Sequence, residues 1–315
     1  MITRGGSAKS RRACVLAACT ALVGLSAIAA IDPAPGRQAD KRTKLLFSSG
    51  FEHPVTVAPP RTESGDWRFP IRGADEGFAW QSELPGGKPH AFFPIVPSSV
   101  PVGPYADTRL ETVPGPHGGT PTRALYQEVS KDVEFTPNKR VRNQFPTHWK
   151  RERGSLAYWI KLQANLAQLM PNDGTNYWRQ LIEFRGSWQH RTDYRVWIGV
   201  VRGPRGSLLH WRTTAELRPR KGGRIIDFTH NARRPPIPLG KWFRFKVRWV
   251  LDRKHGFLKA TVNGVPIINR RGPTRINDSV DTEQIFKVYM GANSLDRGPA
   301  FQWIDDVQLR TWPPR

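Results

Sequence analysis

Hydrophobic and polar residues alternate with a period of two along much of this chain, most regularly in Trp242–Val250, WFRFKVRWV. Successive residues of an extended segment point to opposite sides. Phe243, Phe245, Val247 and Trp249 therefore share one face, and Arg244, Lys246 and Arg248 form a basic comb on the other. After a polar turn, Phe257–Val262 and Val265–Asn269 flank Asn263-Gly264. That dipeptide is the strongest short hairpin signal, since both of its residues accept positive φ. Weaker copies of the alternation, separated by Gly, Pro and Asn, predict strands at Lys44–Phe51, Ala124–Val129, Ser155–Leu162, Trp178–Phe184, Tyr194–Val201, Ser207–Thr213, Ile285–Gly291 and Phe301–Leu309. Only Leu162–Met170 has the makings of a helix, about two turns long. Many short strands and no helical repeat predict an all-β, single-domain sandwich or jelly roll.

Two stretches interrupt the pattern. Between Pro85 and Pro121 stand nine prolines, which neither a helix nor a central strand tolerates. The expectation is a long Pro-rich loop at the edge of the domain. Arg218–Pro238 carries Arg218, Arg220, Lys221, Arg224, Arg233 and Arg234 against Asp227 alone. It reads as a solvated surface loop, with a clamp beside a ligand groove as the functional alternative.

The first thirty residues have the layout of a secretory signal: Arg4, Lys9, Arg11 and Arg12, an apolar run Ala13–Ala30, and small residues at its end. A lipoprotein box around Cys19, a twin-arginine start at Arg11-Arg12 and a retained anchor are the rival readings. The expected organisation is a signal over 1–30, a linker over 31–43 and a sandwich domain over 44–312, in a secreted or periplasmic monomer. Both cysteines, Cys14 and Cys19, fall in that leader. The remainder thus has no disulfide, cysteine nucleophile or zinc-thiolate site. Its stability must come from a core, and about 285 residues suffice for one large sandwich.

The net charge of +23 falls to +19 once the four leader cations are removed. That excess suits a polyanion: an acidic polysaccharide, an anionic cell surface or a nucleic acid. No recognised nucleic-acid motif accompanies it, so no nucleic acid is expected as partner. No membrane contact is expected beyond the export signal.

Trp242–Ile268, with Phe286–Gly291 (FKVYMG) and Trp303–Val307 (WIDDV), resembles the concanavalin A-like jelly-roll group. It is most similar to the heparin-lyase-I-like and glucuronan-lyase-like polysaccharide lyases. In those proteins a "GKWH-F-V-V-W" strand leads to a "G-L-WVNG" hairpin and then an "FK-G-Y" strand. Here these read Gly240-Lys241-Trp242-Phe243, Gly256–Gly264 and Phe286–Gly291. The resemblance implies a concanavalin A-like sandwich that binds an anionic, uronic-acid polysaccharide in a basic concave groove and cleaves it by β-elimination. Two departures stand out. Glu183 occupies the place of the histidine in a Gln-x-His strand, and Ile285 replaces a tyrosine before the Phe-Lys. A non-catalytic carbohydrate-binding or envelope sandwich is the alternative. Paired-carboxylate hydrolysis is disfavoured, because Glu183 is the lone acid on its strand.

β-Elimination needs a group to neutralise the uronate carboxylate, a base for the adjacent proton and an acid for the leaving oxygen. On this basis Tyr289, Gln180, Glu183, Arg195 and Tyr194 are the catalytic candidates. Arg142, Asn143, Arg179, Arg244, Lys246, Arg248 and Trp188 are the substrate-binding candidates. Tyr158 is a further phenol, and Trp188 and Trp211 are candidates for stacking on sugar rings, against core burial as the plainer reading. Gly50-Phe51-Glu52 and Ile304-Asp305-Asp306-Val307 resemble the paired first and last strands of carbohydrate-binding and adhesion sandwiches. That resemblance implies a structural Ca²⁺ held by Glu52, Asp305 and Asp306. Adjacent acids repel unless something cationic sits between them, and an arginine or backbone amides are the other way to satisfy them.

Overall fold

The computed structural model describes residues 43–57, 69–72, 83–84, 88–89, 91–92, 106–129, 143–144, 152–170, 172, 177–188, 191–202, 208–219, 226–275, 285–288, 291–292 and 299–311. The chain divides into two compact units, Met1–Ala39 and Asp40–Arg315, and all described residues belong to the second.

In chain order the elements are β1 (Lys44–Ser49), β2 (Thr56–Val57), β3 (Phe69–Arg72), β4 (Glu83–Leu84), β5 (Lys88–Pro89), β6 (Ala91–Phe92), β7 (Ala106–Pro114), β8 (Pro121–Val129), β9 (Asn143–Gln144) and β10 (Arg153–Leu162). There follow α1 (Leu166–Leu169), β11 (Tyr177–Trp188), β12 (Arg191–Arg202), β13 (His210–Leu217), β14 (Ile226–Ala232), β15 (Trp242–Val250), β16 (Phe257–Val262), β17 (Val265–Arg271), β18 (Ile285–Val288), β19 (Gly291–Ala292) and β20 (Ala300–Thr311). The first large sheet runs β17-β16-β15-β10-β20-β8-β7, with β1 also on β20; the second runs β14-β13-β12-β11-β18-β9, with β19 also on β11. The chain is an all-β, antiparallel jelly-roll sandwich.

Alternation builds its core. β15 buries Phe243, Phe245, Val247 and Trp249 and leaves Arg244, Lys246 and Arg248 half-buried on the outside. β10 adds Leu156, Tyr158, Ile160 and Leu162 from the same sheet. From the second sheet come Val196, Ile198 and Val200 of β12 and Trp211, Ala215 and Leu217 of β13. All join one cluster. Each fully buried aliphatic or phenylalanine side chain contributes roughly 1.5–3 kcal/mol. The two layers also meet through specific contacts. Trp211 packs edge-on against Phe243 at 5.8 Å between centroids. The Tyr158 hydroxyl donates to the Leu181 carbonyl at 3.1 Å.

The hairpin forms at Asn263 (φ 48°) and Gly264 (φ 85°), both left-handed as its sequence requires. The Asn263 side-chain oxygen also accepts from the Arg244 amide at 2.8 Å, which locks the turn to β15.

Three local expectations are revised. The basic stretch Arg218–Pro238 contains a strand, β14, because Ile226, Phe228 and His230 alternate with Asp227, Thr229 and Asn231. The Pro-rich stretch also carries order: β7 fits within Ala106–Pro114, where proline appears only at the last position. The helix is one turn, Leu166–Leu169, shorter than its apolar pattern suggested.

Strand β11 has a bulge between Gln180 and Ile182, and the residue facing it on β12 is Gly199. A Cβ on Gly199 would lie 2.1 Å from the Arg179 carbonyl oxygen, so the sheet closes here only over a glycine. Gly199→Ala is expected to cost about 1–3 kcal/mol or more through overpacking. Urea denaturation reads this as a lower midpoint at unchanged slope. A midpoint equal to that of the parent protein would show that the bulge yields freely.

Candidate functional site

The open face of the second sheet gathers polar and aromatic side chains from neighbouring strands. On β12, Arg195 and Trp197 alternate with the buried Val196 and Ile198 and stay half-buried on the outer side. On β13 the inward set Trp211, Thr213, Ala215 and Leu217 leaves His210, Arg212, Thr214 and Glu216 outward. Asp227, Thr229 and Asn231 of β14 pair with Glu216, Thr214 and Arg212 respectively and are exposed. Trp197 lies 6.1 Å from Trp178 of β11, ring to ring.

A hydrogen-bonded cluster fixes one end of this face. The Asn231 side-chain oxygen accepts from Arg212 Nε at 2.9 Å, and His210 Nε2 lies 3.2 Å from the same oxygen. His210 Nδ1 is 3.0 Å from the Leu208 carbonyl. Partial burial lowers the Arg212 pKa, but a guanidinium stays charged. Flat indole faces beside fixed donors suit a sugar ring: the apolar side stacks and the hydroxyls or carboxylate meet the polar groups.

Several sequence candidates converge on this sheet. Gln180 pairs with Gly199 and is buried, with 1% exposure. Glu183 pairs with Trp197 on one side and Lys287 on the other. Arg195 pairs with Arg185 and Glu216; Tyr194 pairs with Gly186 and Leu217. Asn143 pairs with Val288, and Trp188 closes β11 opposite Arg191. Arg142 and Tyr289 lie outside the described residues. The strand order β12-β11-β18-β9 sets these residues on one sheet, but only Arg195, Gln180 and Glu183 are in register with its outer face. Asn143, one residue from the Gln144–Lys287–Glu183 row, and Tyr194, opposite the buried Leu217, fall on the inner side.

Others are placed elsewhere. Arg179 is not a surface contact: it is 1% exposed and reaches across the sandwich. Its Nη1 donates to Gln163 Oε1 at 3.3 Å, and Nη2 donates to the Phe301 carbonyl at 2.9 Å and to Gln302 Oε1 at 2.8 Å. Burial lowers its pKa to about 9, so it is still a cation at neutral pH. Arg244, Lys246 and Arg248 belong to β15 in the other sheet, on its outer side. They share no face with Gln180 or Arg195. Trp211 is a core residue at 1% exposure, its indole N–H donating to the Pro235 carbonyl at 2.7 Å. Tyr158 is wholly buried, and burial raises its pKa far above the ordinary phenol range. The pair Trp178 and Trp197 was missed by the sequence reading. Its signal was the alternation Val196-Trp197-Ile198, which puts that indole on the side opposite the aliphatic residues.

The acids of the first and last strands meet at a second place. β20 changes partner along its length: Ala300–Ile304 pair with β8, and Val307–Thr311 pair with β1. Asp305 and Asp306 sit at the changeover, Asp306 with φ 50°. Glu52 follows β1 and accepts from the Arg123 amide at 2.9 Å. The Thr122 hydroxyl stands 2.8 Å from Glu52 Oε1 and 3.0 Å from Asp305 Oδ2, with a single proton to give. Asp305 also accepts from the Asp306 amide at 2.7 Å. The Asp306 carboxylate turns instead to His117 Nε2 at 3.1 Å. Of the three expected metal ligands, Glu52 and Asp305 therefore converge and Asp306 does not. Among the described residues no group of three or more His, Cys, Asp or Glu is disposed to hold a metal ion, so a cation here would need Thr122 or backbone oxygens as well. Also among them, no helix is long and apolar enough to cross a membrane.

No protein-family model matches the chain, and no curated protein matches it. Solved structures with a similar fold include an exolytic alginate lyase from Zobellia galactanivorans, at 8% identity and TM-score 0.42, covering 69% of this chain and 91% of that one. Domain 4 of an extracellular arabinanase from Geobacillus stearothermophilus, in complex with arabinotriose, is 14% identical at TM-score 0.37, over 86% of this chain and 94% of that one. An endo-1,3-β-glucanase from Streptomyces sioyaensis is 14% identical at TM-score 0.35, over 87% and 98%. Likenesses this distant carry no argument about chemistry.

Desolvation pushes Asp305 up to about 7, with the neighbouring Asp306 and Glu52 charges adding to the rise. A carboxyl that holds its proton more tightly when folded stabilises the fold below its unfolded pKa, near 4, and loses that contribution as pH climbs to about 7. On the order of 4 kcal/mol is linked to that proton. In the absence of divalent cations, stability should fall between pH 4 and pH 7, and Asp305→Asn should flatten the decline. Urea midpoints across this range test it. Equal slopes in both proteins would place the proton elsewhere.

Proposed function

We propose that the protein binds an acidic, uronic-acid polysaccharide across the open face of its second sheet and cleaves it by β-elimination. The observation that carries this reading is the shared outer face: the neighbouring strands β11 and β12 bring Glu183 and Arg195 to one side of the sheet, next to Trp178 and Trp197. The net charge of +23 favours a polyanionic substrate. The export expected from the leader would bring the protein to an extracellular polymer. In this scheme the indoles stack on the sugar, and Arg195 neutralises the uronate carboxylate. That neutralisation lowers the cost of the charge developing as the adjacent proton leaves. Glu183 and Tyr289 are the proton carriers: the carboxylate takes the proton from carbon, and the phenol returns one to the leaving oxygen.

A binding-only protein is the second reading, and the Glu183 substitution favours it. A carboxylate in place of an imidazole repels the substrate's own carboxylate unless it is protonated. The two readings separate on a panel of glucuronan, alginate, heparin and hyaluronan, followed by the ultraviolet absorbance of new unsaturated uronides. Cleavage of one polymer is expected. Arg195→Ala should slow it roughly 100-fold or more, in the range for removing one charge-stabilising group, while Arg248→Ala on the opposite sheet leaves the rate unchanged. Salt-sensitive retention without absorbance would select the binding protein. No retention at all would end both readings.

We further propose a structural Ca²⁺ at Glu52 and Asp305. Two carboxylates that share one hydroxyl proton, one of them pushed to about 7 by burial, lack a positive partner among the described residues, and Ca²⁺ accepts carboxylate, hydroxyl and carbonyl oxygens alike. At 100 times its dissociation constant the ion would add about 2.7 kcal/mol of stability. The melting temperature should therefore rise with Ca²⁺ at pH 8 and hardly move at pH 5, where Asp305 keeps its proton. Identical melting with Ca²⁺ and with a chelator at pH 8 would remove the metal.

A further inference from the structure

β14 ends the second sheet and β17 ends the first, and the two strands meet along one edge of the sandwich. A cavity of about 340 Å³ lies there, lined by Phe228, His230, Asn269, Arg270 and Arg271 among others, and among the described residues no acid lines it. The Arg270 guanidinium covers the Phe228 ring at 3.9 Å from its centroid. Arg270 Nε is buried and has no hydrogen-bond partner among the described residues. A buried N–H without an acceptor needs a physical reason; the Arg270 side chain lines a cavity whose described walls are only cationic and neutral, a setting that suits an anion. Alternation explains how the walls arise. Phe228 and His230 lie on the inner side of β14, where Phe228 pairs with the buried Ala215. Arg270 pairs with the buried Leu258 and so points inward from β17, whereas Asn269 and Arg271 are exposed at the mouth.

The geometry points to a second binding site at this edge, separate from the open face, that takes one acidic sugar residue through its carboxylate. The planar guanidinium fork matches a carboxylate, the Asn269 amide serves a ring hydroxyl, and Arg271 adds charge at the mouth. The volume sits at the small end of the roughly 300–1,000 Å³ common for ligand sites, which suits a single sugar unit and excludes a packed polymer. The choice of a uronate rests on the polysaccharide reading above, but the location does not. Arg270 and Phe228 take no part in the open face.

Calorimetric titration of the full chain with a tetrasaccharide of glucuronic acid, and with cellotetraose as the neutral counterpart, tests the site. Two classes of site are expected for the acidic probe, and none for cellotetraose at the edge. Arg270→Leu should weaken the edge class at least tenfold. Asn269→Asp, an exposed change that brings a carboxylate to the mouth without touching the core, should do the same if Arg270→Leu folds poorly. Trp197→Ala should weaken only the open-face class. Parent-like binding in Asn269→Asp, or equal binding of the two probes at the edge, overturns the proposal and leaves the open-face reading intact. Binding that survives Trp197→Ala but vanishes in Asn269→Asp supports the edge site and sinks the open-face reading. No binding by the parent protein overturns both.

Discussion

Every long strand here spends one side on a shared core, and that constraint decides what its other side can do. Side chains repeat every two residues along a strand, and both sheets commit their inner sets, from Phe243 and Phe245 to Val196 and Ile198, to the same cluster. The outer sets therefore face away from each other. The basic comb of β15 and the Trp197–Arg212 face of the second sheet are divided by the full thickness of the sandwich, about 10 Å between stacked sheets. They cannot hold one sugar between them. A ligand can bridge the two sheets only at an edge, where β14 and β17 expose residues of both.

Arg179 breaks the rule of apolar interiors, and its surroundings explain how. It lies next to a bulge and reaches three oxygens, on Gln163, Gln302 and the Phe301 backbone, while Gln302 Nε2 donates on to Gln127 at 2.8 Å. A buried cation costs desolvation, and the lowered pKa registers that cost. Oriented amide oxygens offset much of it. The network joins β11 of one sheet to β8 and β20 of the other. It therefore specifies how the sheets are set in a way that interchangeable aliphatic contacts cannot.

The sequence was most legible where side chain and backbone agree. β15, β16 and the Asn263-Gly264 turn could be placed because alternation, β-branched and aromatic content and turn chemistry all point to the same structure. β14 was obscured because six cations surround it, and composition outweighed the Ile226-Phe228 alternation within. β7 was obscured by its proline-rich flanks. The site was legible as a set of strands but less so as a set of side chains. Arg179 and Gln180 are adjacent in sequence, and which of them turns inward depends on a bulge that no local pattern announces. Trp178 and Trp197 become neighbours only through the β11–β12 register, which is set by pairing between strands.

The changeover on β20 shows why the acids at the two ends of the fold are bound up with its closure. One strand serves β8 over its first half and β1 over its second, so the two partners end against the same edge with a gap between them at Asp305 and Asp306. Backbone groups in such a gap have no ladder to join, and the acidic side chains supply the missing partners: Glu52 accepts the Arg123 amide, and Asp305 accepts the Asp306 amide. Carboxylates satisfy backbone donors well, yet placing Asp305 in a buried position next to two other acids makes its own charge costly. The gap thus needs the oxygens and resists the charge. A proton or a cation resolves that conflict, and a hydrophobic substitution would not, because it would leave the Asp306 amide without its acceptor.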